Sequence, residues 1–325
     1  MSTKRDGLSR QVRGLTLVEL LVSLTLGLLI VVATLAGYLG LSEAGRMSEA
    51  QARMDEDGQA ALSVLTAHLR MAGSNPDRAN RSPSDRRNPV YPVPFTFALR
   101  GCDGTFANIA TAAAIQDLTC TGGTTSSPDS ISITYEADRF NTVMPTPGMT
   151  PTDCLGHPLN QLTASVDVVT TPGPGVSTEI NYHAAENRFY IASSGPGSSP
   201  SLHCKGSGAG STAGALVENV ENLQLTYGTV PAGASQTNAA DIAGYLDAFE
   251  VTGHPTLVFL ADDAARWAKV ASVRVCVVIR STRPVAPSPG SAQYLRCDGS
   301  VEASPPDLHL RRAYSTTMVL RNRRR

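Results

Sequence analysis

The sequence predicts an α+β protein in which one long N-terminal helix packs on a mostly antiparallel, β-rich head. Residues 15–41 form an apolar segment of 27 residues whose single charged side chain is Glu19. About 20 apolar residues suffice to cross a bilayer. Apolar residues at helical spacing continue to residue 72, and the rest of the 325-residue chain alternates short β-rich runs with segments rich in Gly, Pro, Ser and Thr.

The residues before the apolar segment predict its orientation. Four basic residues precede it against one acid, Asp6, and such an excess of positive charge stays in the cytoplasm. The basic residues are Lys4, Arg5, Arg10 and Arg13. A secretory signal peptide is the alternative, but its apolar region is usually ~7–15 residues long and ends at a small-residue site. We therefore expect a cytoplasmic leader (residues 1–14) and a single membrane pass (residues 15–41), with the remainder exported.

Glu19 is the exception inside the apolar segment, at its fifth position. A carboxylate at mid-membrane costs roughly 2.5–3.5 kcal/mol on insertion scales, and less near the interface. Two interpretations are open: a tolerated interfacial acid, or a carboxylate that meets a positive partner. We favour the second, because ionisable residues within a span are rare and usually functional.

The helix is predicted to continue beyond the membrane. Leucines recur at helical spacing, and a glycine followed by a proline stops the pattern after residue 72. These residues are Leu62, Leu65, Leu69, Gly73 and Pro76. Residues 15–72 are thus predicted as one helix with an amphipathic second half, residues 42–73, and residues 74–325 as the head with loop insertions.

Seven runs in the head are predicted as strands. They are residues 131–135, 165–170, 179–183, 188–192, 223–227, 272–280 and 314–320. The run 272–280 is the most apolar and is therefore expected at the centre of a sheet. An acid-capped helical turn, residues 262–268, precedes it, and Trp267 in that turn is predicted to be a core anchor.

Residues 14–19 resemble the class III signal of type IV prepilins and type II secretion pseudopilins. Gly14 is followed by Leu-Thr-Leu-Val-Glu. The resemblance implies that prepilin peptidase cuts after Gly14 and that Leu15 becomes the N-methylated mature N-terminus. It also implies that Glu19 pairs with the N-terminal ammonium of a neighbouring subunit. Leu15 departs from the phenylalanine that is usual at that position.

Further segments resemble the PilW family of minor type IV pilins. They are residues 68–73, 217–228, 267–280 and 312–323. The resemblance implies a type IV pilin-like fold and a non-catalytic subunit that acts in pilus assembly and initiation at the tip. The implied partners are prepilin peptidase, other minor pilins, the major pilin, the inner-membrane assembly machinery and a tip adhesin. The implied location is the inner membrane with a periplasmic head, then the pilus (fimbrium) at the cell surface.

All six cysteines lie in the part predicted to be exported, where thiols oxidise. They are Cys102, Cys120, Cys154, Cys204, Cys276 and Cys297. Fifteen pairings are possible and the sequence selects none of them. We favour the nearest-neighbour pairs Cys102–Cys120, Cys154–Cys204 and Cys276–Cys297, because each closes a local loop. A bridge over about 20 residues contributes ~3 kcal/mol in the chain-entropy model.

Other chemistries receive little support from the sequence. Cys154, His157, His203 and Cys204 form a loose zinc-ligand pattern, but an oxidising compartment favours a disulfide. Residues 208–213 mimic a dinucleotide-binding fingerprint without a preceding strand. The sequence contains no nucleophile-elbow, zinc-protease, Walker or EF-hand motif. We therefore expect no enzyme, no cofactor and no metal.

Nucleic acid is not an expected partner. The mature chain carries 23 Lys+Arg against 27 Asp+Glu. The basic, proline-rich residues 77–94 lack a recognition pattern and are predicted to be an extended connector. The C-terminal arginines, of which Arg321 is the first, are expected to be a solvated cluster.

Two other functions stay open. A type II secretion minor pseudopilin has the same N-terminal helix. A surface- or glycan-binding tip adhesin would use residues 80–210, which match no family segment.

Overall fold

The computed structural model describes residues 14, 16–124, 126–142, 149–169, 175–195, 197–233, 241–254, 257 and 260–323. The leader up to Arg13, the predicted mature N-terminus Leu15, and the arginines Arg324 and Arg325 lie outside these residues. The helices and strands are, in chain order, α1 (Leu17–Met71), β1 (Leu99–Cys102), β2 (Ser130–Ala137), β3 (Gln161–Val168), β4 (Val176–Ser193), β5 (Pro200–Gly206), β6 (Gly214–Glu218), β7 (Val220–Thr229), β8 (Gly244–Leu246), α2 (Ala248–Gly253), α3 (Asp263–Trp267), β9 (Val270–Pro284), β10 (Tyr294–Leu295), β11 (Val301–Glu302) and β12 (His309–Val319).

Helix α1 is one continuous element of 55 residues, which confirms the predicted single helix. Gly73 follows it with a φ of 73°, a left-handed conformation that favours glycine after a helix. The chain forms two compact units that divide between Glu49 and Ala50, so α1 contributes to both. From Thr16 to Leu41 every residue of the first unit is exposed.

In the second unit, α1 buries one stripe against the head. The stripe consists of Met54, Gly58, Ala61, Leu65 and Leu69. Their spacing of three or four residues is that of one helical face, as expected for an amphipathic helix on a core. Leu62, which the sequence analysis put in the stripe, lies at its edge and is only half-buried.

Two antiparallel sheets build the head, which confirms the predicted fold class. The larger sheet has the order β1-β2-β4-β5-β6, with β3 paired to β4 as well. The smaller sheet has the order β12-β9-β7-β8, and β10 and β11 form a separate hairpin. All seven predicted runs overlap one of these strands, whereas β1, β5, β6, β8, β10 and β11 were not predicted.

Strand β4 is longer than the sequence suggests. It has 18 residues and joins the two predicted runs 179–183 and 188–192 into one strand. The intervening residues 184–187 include Glu186 and Asn187, which break the apolar pattern. They stay extended because each pairs with β2, from Ala184 opposite Glu136 to Asn187 opposite Ile133.

Strand β9 is the central strand that its apolar sequence predicts. It lies between β12 and β7, and its residues from Val270 to Val273 are buried. The turn before it is α3, whose N-cap Asp262 accepts the backbone N–H of Ala265 at 2.8 Å. Trp267 is 1% exposed and packs edge-on to Tyr227, with ring centroids 4.8 Å apart. The prediction of a core anchor is confirmed.

The proline-rich connector is tied to the larger sheet through a buried carboxylate. Glu136 of β2 pairs with Arg78 and accepts a hydrogen bond from Asn88 at 2.6 Å. Arg81 in turn donates to the Asn88 side chain at 2.8 Å. The connector therefore has a defined path without regular secondary structure between Asp77 and Pro94.

Candidate assembly site on the N-terminal helix

Thr16 and Glu19 form a reciprocal capping box at the start of α1. The Glu19 carboxylate accepts the backbone N–H and the hydroxyl of Thr16, both at 3.2 Å. The Thr16 hydroxyl oxygen accepts the backbone N–H of Glu19, also at 3.2 Å. Threonine followed three residues later by glutamate, just before an apolar run, is the sequence signature of this motif. The cap is thus a local feature that residues 16–19 encode by themselves.

The capping box leaves part of the Glu19 carboxylate available. Both bonds from Thr16 end on Oε2, and within the described residues Oε1 accepts no hydrogen bond. The side chain is exposed on the first turn of the helix. A negative charge there is favoured by the helix dipole. The carboxylate thus caps its own helix through Oε2, and Oε1 remains able to accept a further hydrogen bond.

Gly14 lies in open space just before the helix. It is exposed, and an added Cβ would meet no heavy atom within 4 Å. Packing against the described part of the chain therefore does not require glycine at position 14.

The first half of α1 presents apolar side chains on all its faces. Its large hydrophobic residues, from Leu17 to Leu41, are between 50% and 77% exposed. The helix is long and apolar enough to cross a membrane. Because so large an apolar surface is unfavourable in water, this segment requires lipid or other helices around it.

The second half of α1 is fastened to both sheets of the head. On the smaller sheet, Asp55 accepts the Tyr314 hydroxyl at 2.6 Å and pairs with Arg312 at 3.0 Å. Gly58 lies under the Tyr314 ring, where a Cβ would come within 2.6 Å of a ring carbon. The glycine is therefore required by the close approach of helix and strand.

On the larger sheet, the contact is made by His68. Its ring lies against Phe189, with centroids 4.9 Å apart, and 3.4 Å separates its Nδ1 from Nδ2 of Asn187. Burial lowers the pKa of His68 to about 4, although the charge of Asp153 acts in the opposite direction. The imidazole is therefore neutral at physiological pH, as its apolar contact requires.

Three disulfides close loops of the head. They join Cys102 to Cys120, Cys154 to Cys204, and Cys276 to Cys297. These are the nearest-neighbour pairs that the sequence analysis favoured. The second bridge also takes up both sulfur atoms that the zinc alternative needed. Of the two histidines in that pattern, His203 hydrogen-bonds the backbone oxygen of Ser201 at 3.0 Å and His157 lies beside Asp153.

Comparison with known protein families finds a match in the C-terminal part of the chain. The family model of PilW, described as type IV pilus-assembly protein W, matches residues 188–322. The match runs from β4 to the C-terminal turn and contains two of the segments that carried the resemblance, residues 217–228 and 267–280. No curated protein and no solved structure matches the chain. The match supports the assignment to this family.

Proposed function

We propose that this chain is a minor pilin of the PilW family of type IV pilus-assembly proteins. The match of the family model over residues 188–322 supports the family. In this proposal it is a non-catalytic subunit that enters a pilus through the exposed apolar half of α1. The observation that carries the proposal is the combination of that bare helix with a capped, partly unpaired Glu19 at its start.

The precursor in this proposal resides in the inner membrane with a periplasmic head. Prepilin peptidase cleaves after Gly14 and N-methylates Leu15. The openness around Gly14 supports this step, because nothing else in the described chain requires a glycine there. The three disulfides agree with a head that folds outside the cytoplasm.

During assembly, Glu19 pairs with the N-terminal ammonium of a neighbouring subunit. The interaction is stronger among packed apolar helices than in water, because the local dielectric constant is lower. The other contacts come from apolar side chains of α1 that are exposed in the single chain. The partners in this proposal are other minor pilins, the major pilin, the inner-membrane assembly machinery and a tip adhesin.

The proposed position is the tip, where the subunit initiates the fibre. The head is large and carries long irregular connections, such as residues 77–94. A subunit that repeats along a fibre must pack the same head against copies of itself at every step, whereas one at the end has no copy above it.

Deletion of the gene tests this function. We expect surface pili to fall sharply while the amount and the processing of the major pilin stay normal. Electron microscopy of cells and immunoblots for the major pilin provide the two measurements. Normal piliation combined with a defect in protein secretion would instead favour the type II secretion pseudopilin.

A further inference from the structure

A groove crosses the smaller sheet on the face opposite the core. In β7 and β9 the pairs Gln224–Cys276 and Thr226–Arg274 point to this face, whereas the alternating residues Leu223 and Leu225 are buried in the core. Two adjoining hollows of about 410 and 330 Å³ form the groove. They share Gln224, Cys297 and Asp298.

Several separate segments form the walls of the groove, among them the loops that contain Asp103 and Asp129. Tyr245 of β8 and Phe249 of α2 line one side. Asp298 lines the other, in the turn that the Cys276–Cys297 disulfide holds against β9. Phe249 is 79% exposed. A large ring so exposed at the rim of a hollow is typical of an interaction surface.

The larger hollow is strongly acidic. Five carboxylates line it, whereas Arg274 is the one basic residue among its described lining residues. The carboxylates are Asp103, Asp129, Asp247, Glu250 and Asp298. Apart from the shared Asp298, the smaller hollow is lined by one basic and one acidic residue, Arg296 and Glu221, so it adds no net charge.

The carboxylates of the larger hollow repel one another. Burial, with smaller contributions from the charges of Asp103 and Asp247, raises the pKa of Asp129 to about 7. Burial also raises the pKa of Asp103, with Asp247 again adding to the shift. A cation that enters the hollow relieves this repulsion and stabilises the ionised carboxylates.

A bare metal ion does not fit this arrangement. Asp103 accepts the backbone N–H groups of Ala248 and Phe249, at 2.9 and 2.7 Å. Asp129 accepts those of Gly104 and Leu225, at 3.3 and 2.7 Å. Their oxygens are thus directed at the backbone, and within the described part of the chain no group of three ligands converges on a point.

An organic cation with an apolar stem fits better. The guanidinium of Arg274 already lies over the Tyr245 ring, 4.1 Å from its centroid. The groove therefore accommodates a guanidinium on an aromatic ring, and Phe249 offers a second ring at the rim. Long basic side chains bury their methylene stems on apolar walls and keep their charge near polar groups.

We infer that this groove binds a basic, partly apolar segment of a partner protein that inserts an arginine or lysine side chain between Phe249 and the carboxylates. This contact is made by the head alone and is therefore separate from the proposed assembly through α1. Whether the groove binds such a segment does not depend on whether the chain enters a pilus.

The test uses the full chain in detergent and two short peptides with blocked ends. The first peptide has a central arginine between two leucines. The second has citrulline, which is neutral and nearly the same shape, in place of the arginine. Calorimetric titration gives the affinity of each. We expect the arginine peptide to bind at least about tenfold tighter, with a preference that weakens at high salt because the attraction is electrostatic.

Two variants test whether the preference for the arginine peptide comes from the carboxylates of the groove. The double variant Glu250→Gln/Asp298→Asn removes two charges at the rim and keeps the side-chain oxygens that accept from Asp247 and Ser300. It should lose most of the preference for arginine. The control is Glu179→Gln, an exposed charge on β4 outside the groove, which should keep it.

Three outcomes would overturn the inference. They are equal affinity of the wild type for the two peptides, an unchanged preference in the double variant, and binding of a glucosamine trimer without binding of the arginine peptide. The last result would assign the groove to a cationic sugar. A folded double variant, checked by circular dichroism, is required for the comparison.

Discussion

Glu19 has one observed role and one proposed role, and only the proposed role needs its negative charge. Its carboxylate caps α1 through Thr16, and in the proposed assembly it pairs with an ammonium of a neighbour. Glutamine can also fill this place in a capping box, because it supplies the same acceptor oxygen. Replacing Glu19 by glutamine therefore keeps the cap and removes the charge.

The first prediction uses that difference. We expect Glu19→Gln and Glu19→Ala to be inserted and processed but to enter pili at least about tenfold less well than the wild type. Thr16→Ala, which removes a cap worth ~1 kcal/mol, and the exposed-charge control Glu43→Ala should enter almost normally. Immunoblots of sheared pili measure the incorporated fraction. Normal entry of Glu19→Gln would contradict a role for the Glu19 charge in assembly.

The second prediction concerns His68 and acid. Its pKa falls from 6.5 in the unfolded chain to about 4 in the fold. Since the unfolded chain binds the proton more tightly, the stability from the neutral imidazole is present above pH 6.5. It is lost as pH falls towards 4, by roughly 2–3 kcal/mol. Denaturant unfolding of the wild type and of His68→Gln at pH 7 and pH 4.5 measures this loss as the difference between the two proteins.

A His68→Gln variant separates the loss of stability caused by protonation of His68 from the effects of other titrating groups. Asp129 acts in the opposite direction, because its pKa is raised from 3.8 to about 7. Its stabilising contribution is present below pH 3.8 and is lost as pH rises through 7. The acid-induced loss should therefore be smaller in His68→Gln than in the wild type. An identical pH dependence of the two proteins would contradict the assignment to His68.

At the scale of elements, the contact between α1 and β12 depends on a missing side chain. A Cβ at Gly58 would come within 2.6 Å of the Tyr314 ring. The ring cannot move without disturbing its hydroxyl bond to Asp55. The same helix has Gly45 in open space, where an added Cβ meets no atom within 4 Å.

The third prediction compares these two glycines. Gly58→Ala should destabilise the head by up to about 2 kcal/mol, because overpacking costs ~1–3 kcal/mol and the gain in helix propensity returns only up to ~1 kcal/mol. Gly45→Ala has no clash and should be neutral or slightly stabilising. Denaturant unfolding of the two variants measures the difference. Equal stability of the two would argue against a tight contact between α1 and β12.

The fourth prediction concerns the disulfides. A head folded in an oxidising compartment should have no thiol available, since all six cysteines are paired. Alkylation of the denatured, unreduced protein should leave its mass unchanged, and alkylation after reduction should add six labels. The double variant Cys276→Ser/Cys297→Ser should lose ~2–5 kcal/mol of stability. Labelled cysteines in the unreduced protein would contradict the pairing.

At the scale of the whole molecule, the proposed tip position predicts a low copy number. The subunit should be present in sheared pili at far below one copy per major pilin. Quantitative mass spectrometry gives the ratio, and immunogold labelling gives the position. Uniform labelling along the fibre at near-equal stoichiometry would contradict a tip role.

Patterns that are local in the chain were readable from the sequence. The apolar segment of α1, the stripe that ends at Leu69 and the central strand β9 each depend on the spacing of neighbouring residues, and periodicity reports that spacing directly. The T-x-x-E signature of the Thr16–Glu19 cap was also readable but was not used. The match over residues 188–322 supports the family that such segments indicated.

Only the tertiary structure decided the features that join distant residues. Strand β4 runs unbroken because β2 pairs with its polar centre, and Gly58 is needed because Tyr314, far along the chain, lies above it. The acidic groove likewise brings together Asp103, Asp247 and Asp298. No local pattern contains such information, because side chains that meet only after folding have no fixed spacing in the sequence, whereas helix and strand periods are set by the backbone itself.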